Sequence, residues 1–202
     1  MQEKGEQIAL GPRDALLIVD VQNDFLPSGR LPVPQGDEVI CVLNAYIRQF
    51  TAQALPVYAT RDWHPPEHCS FDFRGGPWPL HCVAKTPGAA FAPPLELPSD
   101  GVVISKAEDR DKEAYSGFEG TDLEKRLRKA GVERLFVGGL ATDYCVLNTV
   151  IDGLHAGFHV FLLENAIRAV DANPGDGERA RATMLGQGAV PVTLERTKIR
   201  VS

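Results

Sequence analysis

The chain has 202 residues, 44% of them hydrophobic, enough for one globular domain with a substantial core and too apolar for a disordered chain. Its formal charge of −6, with no basic run, argues against nucleic acid or an anionic membrane as the main partner. No apolar stretch approaches the roughly 18–20 residues that span a bilayer, and the charged start MQEKGEQIALGPRD lacks the apolar segment of a signal peptide, so a cytoplasmic location is expected.

Strand and helix patterns alternate along the chain. ALLIVD (15–20) reads as a strand ending in Asp20, residues 36–53 as an amphipathic helix with Cys41 in the core, and PVYATR (56–61) as a second strand. Residues 63–100 are rich in proline, glycine and aromatic residues and have little periodicity. A segment that long serves a function or hides short elements. Strand 102–105 runs into Lys106. Helix 121–130 follows, with Thr121-Asp122-Leu123-Glu124 as a capping box and Gly131 as its stop. Then come strand 134–138, helix 143–156 with Thr142 or Asp143 as N-cap, strand 158–163, helix 176–186 and strand 189–194. Six strands joined by helical crossovers predict a single domain over 1–202. Its architecture is three-layer α/β/α, with a six-stranded, mainly parallel sheet.

Asp20, Lys106 and Cys145 each follow a strand, and a parallel sheet brings its strand ends to one edge, where such folds bind ligands. An acid, a cation and a thiol gathered there are the parts of a nucleophile and its proton acceptor. Cys145 falls in the first turn of its helix, where backbone N–H groups and the helix dipole would lower the thiol pKa. Amides of the 141–145 turn are placed to stabilise an oxyanion, and Gly138-Gly139 would let the backbone approach a ligand. Asp20, with Asp24 as competitor, would take the thiol proton and return it to a leaving amine, while Lys106 keeps the carboxylate ionised. Each residue alone has a duller use: core cysteine, turn aspartate, solvated lysine. Their coincidence at one edge carries the reading. The four cysteines, Cys41, Cys69, Cys82 and Cys145, are expected as free thiols.

Asp62 and His64 flank one residue, so an extended chain projects both to the same side. With His81 they offer a carboxylate and two imidazoles and leave coordination positions open, as in a catalytic rather than a closed structural site. The donors suit a divalent metal, Zn²⁺ foremost, with Fe²⁺ and Mn²⁺ compatible. A structural zinc on His68, Cys69, His81 and Cys82 lacks the usual ligand spacing, and His155 and His159 stand apart.

DVQNDF (20–25), RDWHPPEH (61–68), PWPLHC (77–82), TPGA (86–89), SK (105–106), AYSGFEGTDL (114–123) and GGLATDYCV (138–146) run in order over nearly the whole chain. Together they resemble the nicotinamidase/pyrazinamidase branch of the isochorismatase-like cysteine hydrolases. The D-W-H-P and W-P-x-H-C segments are specific to that metal-bearing branch, whereas A-T-D-x-C-V is shared more widely. The resemblance implies hydrolysis of nicotinamide, and of pyrazinamide, to the acid and ammonia through a cysteine thioester. It implies a triad of Asp20, Lys106 and Cys145 and metal ligands Asp62, His64 and His81. His68 is a fourth candidate ligand, since some relatives use a histidine there and others use water. The oxyanion hole would comprise the amides of Ala141 and Cys145, aimed by a cis peptide between Leu140 and Ala141. Phe25, Trp78, Tyr115 and Leu140 would line the substrate pocket. Trp78 and Tyr115 already lie in polar, glycine-rich loops rather than periodic segments, while Tyr144 has no clear role. The implied partner is a small amide. Another superfamily amidase, acting on a carbamoyl or ureido compound, and a non-catalytic metal- or ligand-binding relative remain as alternatives, and a homo-oligomer is left open.

Overall fold

A computed structural model describes residues 7–198; the outermost residues of the expected domain, 1–6 and 199–202, including most of the charged start of the chain, lie outside the described residues. The strands are β1 Ile8–Ala9, β2 Asp14–Val19, β3 Val57–Asp62, β4 Val102–Lys106, β5 Arg134–Leu140, β6 His159–Arg168, β7 Val190–Val192 and β8 Thr197–Lys198. Six of them form one sheet in the order β4-β3-β2-β5-β6-β7, with every pairing parallel. β1 and β8 form a separate two-stranded parallel pair, too short to leave a periodic trace in the sequence. None of the described helices is long and apolar enough to cross a membrane.

The central strand β2 is buried along its whole length and feeds both faces of the sheet. Leu16 and Ile18 join the core under α1 (Glu38–Thr51), with Leu43, Ile47 and Phe50. Ala15, Leu17 and Val19 join the opposite core, which holds Leu127 of α2 (Leu123–Lys129), Val150 of α3 (Leu147–His155) and Met184 of α4 (Asp176–Gly186). This is the period-two alternation of a strand buried on both sides. Each large apolar side chain so buried contributes about 1.5–3 kcal/mol.

Several local expectations fail, each for a physical reason. Cys41 is exposed, because the buried stripe of α1 passes through Val39, Ile40, Leu43, Ile47 and Phe50 and leaves position 41 on the outer flank. Thr121 does not form a capping box: its hydroxyl donates to Gly117 O at 2.6 Å and accepts the Leu123 N–H at 3.2 Å, and α2 starts two residues later. Gly138-Gly139 also has a use within the sheet itself. At Gly139, with φ +129°, an added Cβ would stand 2.1 Å from the Val19 carbonyl oxygen of the neighbouring strand. A register shift between Val137 and Gly139 in the β5–β6 ladder accompanies it. The long 63–100 segment does contain short elements: 3₁₀ turns at Asp72–Arg74 and Pro87–Ala89, and bridges His64–Val83 and Phe71–Trp78.

Candidate active site

The sheet order sets the site. Lys106 ends β4, Asp62 ends β3 and Asp20 follows β2, and the turn after β5 carries Cys145, so neighbouring strands deliver four functional groups side by side. Asp62 and Lys106 are register partners on adjacent strands, and their side chains pair at 2.5 Å. The Lys106 ammonium also lies 3.0 Å from Asp20 Oδ2 and 3.4 Å from Cys145 Sγ, and donates to Ala114 O at 3.2 Å. Lys106 is 1% exposed, a position a lysine occupies only when its charge is compensated. Burial opposes that charge, but Asp20 and Asp62 outweigh burial and hold its pKa well above the ordinary lysine value.

Asp20 is fully buried. Burial raises its pKa and Lys106 lowers it, with a net rise to about 6. Lys106 therefore offsets only part of the desolvation and does not keep Asp20 in the ordinary carboxylate range. The Thr60 hydroxyl donates to Asp20 Oδ1 at 2.6 Å. Oδ2 has no hydrogen bond of acceptable geometry, the Lys106 contact at 3.0 Å being an oblique ion pair. Asp62 shows the opposite balance: burial pushes its pKa up, but Lys106 and His64 prevail and hold it down.

Cys145 overturns the expectation of a resting thiolate. Burial pushes its pKa well above the usual value, Lys106 pulls it down, and Asp20 and Asp62 add to the rise. Its turn, Thr142–Val146, is a π-turn, and α3 begins only at Leu147. No side chain caps it. The Asp143 carboxylate instead accepts the N–H groups of Val170 and Asp171, at 2.9 and 2.8 Å. A neutral buried thiol needs a base at hand. An Asp20 carboxylate oxygen lies within 4.8 Å of the sulfur. The Leu140–Ala141 peptide is cis. The Leu140 side chain, however, is fully buried in the core under α1 and does not line the pocket described below.

Donor atoms of Asp62, His64 and His81 fall within 4.8 Å of one another. His64 Nδ1 faces His81 O at 3.1 Å and His81 Nδ1 faces Pro79 O at 2.8 Å, so backbone carbonyls select the tautomers that present Nε2 as lone pairs. Burial lowers the His64 pKa to about 4, against the pull of Asp62, and a neutral imidazole is the ligating form. The donor set fits a divalent metal with open positions. His68 stacks on His64 at 4.4 Å between ring centroids, but its nitrogens face Ser70 Oγ at 2.8 Å and Lys112 O at 3.1 Å, outside that group of three.

A pocket opens onto these groups, walled by Phe25, Trp78, Tyr115 and Tyr144 and floored by Asp62, His81, Ala141 and Cys145. Trp78 N–H donates to the Tyr115 hydroxyl at 3.0 Å, and Tyr144 stands edge-on to Trp78 with centroids 4.9 Å apart. Leu31, Val33 and Val170 complete the wall. None of these three was legible as a pocket residue, since all lie in non-periodic loops. Thr60 sat in a predicted strand two residues before Asp62, with no pattern to single it out. Asp24, the competitor of Asp20, holds the chain immediately after His81 in place by accepting the Cys82 N–H at 2.7 Å.

The isochorismatase-domain family model matches residues 14–196. The nicotinamidase of Escherichia coli is 36% identical, over 91% of this chain and 96% of that protein. The nicotinamidase/pyrazinamidase of Mycobacterium tuberculosis is 39% identical, over 79% and 88%. Among solved structures, the zinc complex of Pyrococcus horikoshii pyrazinamidase superposes with a TM-score of 0.87 at 52% identity, covering 91% of this chain and all of that one. The L. infantum protein in complex with nicotinate superposes at 0.89 with 33% identity, covering 96% and 100%. A bound divalent metal is supported both by the donor set here and by that zinc-containing relative.

Proposed function

The chain belongs to the isochorismatase-domain family, and from that premise we propose that it is a single-domain amidase that hydrolyses nicotinamide, and pyrazinamide, to the acid and ammonia. The observation that carries this reading is the buried Lys106, in contact with Asp20, Asp62 and Cys145, the last two of which line an aromatic pocket. A flat heteroaromatic ring would lie among Phe25, Trp78, Tyr115 and Tyr144, with its carboxamide over Cys145.

Asp20 takes the Cys145 proton as the sulfur attacks the amide carbon. Negative charge on the tetrahedral oxygen is met by the backbone amides of Ala141 and Cys145, a contribution of a few kcal/mol per donor. Asp20 returns the proton to the leaving nitrogen, ammonia departs, and a thioester remains on Cys145. Asp20 then takes a proton from water, which attacks the thioester and frees the acid and the thiol. Lys106 keeps its charge throughout and offsets the two carboxylates. Asp62, His64 and His81 would hold the divalent metal, Zn²⁺ foremost, which supplies a Lewis-acid seat for a ring nitrogen.

The test is incubation of purified, metal-loaded protein with nicotinamide and, separately, with an N-carbamoyl amino acid. Equimolar ammonia and nicotinate from the first and no ammonia from the second is the expected result. The reverse pattern would transfer the site to a carbamoyl substrate.

A further inference from the structure

Gln22 occupies an unusual position at the end of the sheet. The β2–β3 ladder closes with the Asp20 N–H donating to Thr60 O at 3.2 Å, after which the chain turns away at Asp20, φ +49°. β3 continues to Asp62, where β2 can no longer supply a backbone partner. The other flank is held by β4, through the Trp63 N–H to Lys106 O at 3.0 Å. On the β2 side the Gln22 side chain takes the place of the missing strand. Its Oε1 accepts the Asp62 N–H at 2.8 Å, and its Nε2 donates to Asp62 O at 2.8 Å. A primary amide carries the same donor and acceptor as a peptide group, so it pairs with Asp62 as a residue of an adjoining strand would.

The remaining amide hydrogen goes to Ala89 O at 2.9 Å, and the Gln22 backbone N–H donates to Asp20 O at 2.8 Å. One residue, with 0% exposure, thus ties together the turn bearing Asp20, the end of β3 and the 87–91 loop. Asp62 Oδ1 must serve Lys106 and His64 at once, with His81 close by, so small rotations of its backbone would mis-aim it.

We propose that Gln22 is a positioning residue that fixes the Asp62 backbone, and through it the carboxylate, for metal binding; this rests on reading Asp62, His64 and His81 as the metal site. Partners that orient a ligand typically set metal affinity by about 10–100-fold.

The experiment measures Zn²⁺ affinity by chelator competition for the wild type, Gln22→Met, Gln22→Glu and Met184→Ala. Gln22→Met keeps the length and removes all three side-chain bonds. Gln22→Glu keeps the acceptor for the Asp62 N–H and loses the amide donors, so it stays informative if the first variant does not fold. Met184 is a buried core residue of α4 and is not among the candidate metal ligands, so its truncation matches a purely structural loss of stability. Zinc affinity should fall about 10–100-fold in Gln22→Met, less in Gln22→Glu, and within about twofold of wild type in Met184→Ala. Tight binding by both Gln22 variants, or equal weakening in Met184→Ala, would overturn the assignment. A wild type that takes up no zinc would overturn the metal-site reading itself, and this inference with it.

Discussion

Thr60→Val replaces one hydroxyl by a methyl group at a fully buried position and removes the 2.6 Å hydrogen bond to Asp20 Oδ1. A hydrogen bond to a charged acceptor contributes about 1.5–3 kcal/mol, and one to a neutral acceptor about 0.5–1.5. The ionised form of Asp20 therefore loses about 1–1.5 kcal/mol more than the neutral form, which raises its pKa by about one unit at roughly 1.4 kcal/mol per unit. From about 6 the group would move to titrate at about pH 7. The mechanism needs Asp20 ionised, so activity falls as pH drops through this value. At pH 6 the ionised fraction would decline from about a half to about a tenth, roughly a fivefold loss, whereas at pH 8 the two enzymes would nearly coincide. The assay is kcat/KM for ammonia release from pH 5 to 9. An acid limb that stays in place in Thr60→Val, or a loss uniform across pH, would refute Asp20 as the base held by Thr60.

Other changes act through packing and charge. Lys106→Met strands the Asp20 and Asp62 carboxylates in the interior, so thermal or denaturant unfolding should reveal a loss of about 3–5 kcal/mol, together with loss of activity; unchanged stability would contradict the charge balance described. Trp78→Ala opens the pocket wall and should raise KM roughly tenfold, about 1–2 kcal/mol of binding, with a smaller effect on kcat. Gly139→Ala would press a methyl group into the Val19 backbone at positive φ and should cost more than about 4 kcal/mol, seen as insoluble or unfolded protein. Gly131→Ala, with φ +71° but open space around it, should cost only about 1–2 kcal/mol in the same measurement.

What could be read in advance followed the physics of each feature. Apolar runs such as ALLIV and RLFV announce buried parallel strands, and strand ends share an edge, so the gathering of Asp20, Lys106 and Cys145 was legible before any coordinates. The D-x-H spacing of Asp62 and His64 carried over in the same way, since it depends only on local extension. Properties that arise from the whole interior were not legible. The Cys145 thiol is pushed up because burial and two carboxylates outweigh one lysine, a balance set by four separate strand ends. Asp143 precedes a helix and so looks like its cap, yet its carboxylate serves the Val170–Asp171 segment that folds against it. Gln22 lies within the DVQNDF segment, but its task could not be read there, because the group it replaces is a strand residue that the chain omits. Cys41 looked buried only because its neighbours are.

The nucleophile is the central claim, and replacing it tests the account most directly. Ammonia release from nicotinamide should be compared for wild type and Cys145→Ala at equal metal content. A covalent mechanism predicts a loss of at least about a thousandfold in Cys145→Ala with its metal retained. A variant that keeps its rate within about tenfold of wild type would show that the amide is cleaved without Cys145, and the mechanism built on the Asp20–Lys106–Cys145 cluster would be wrong.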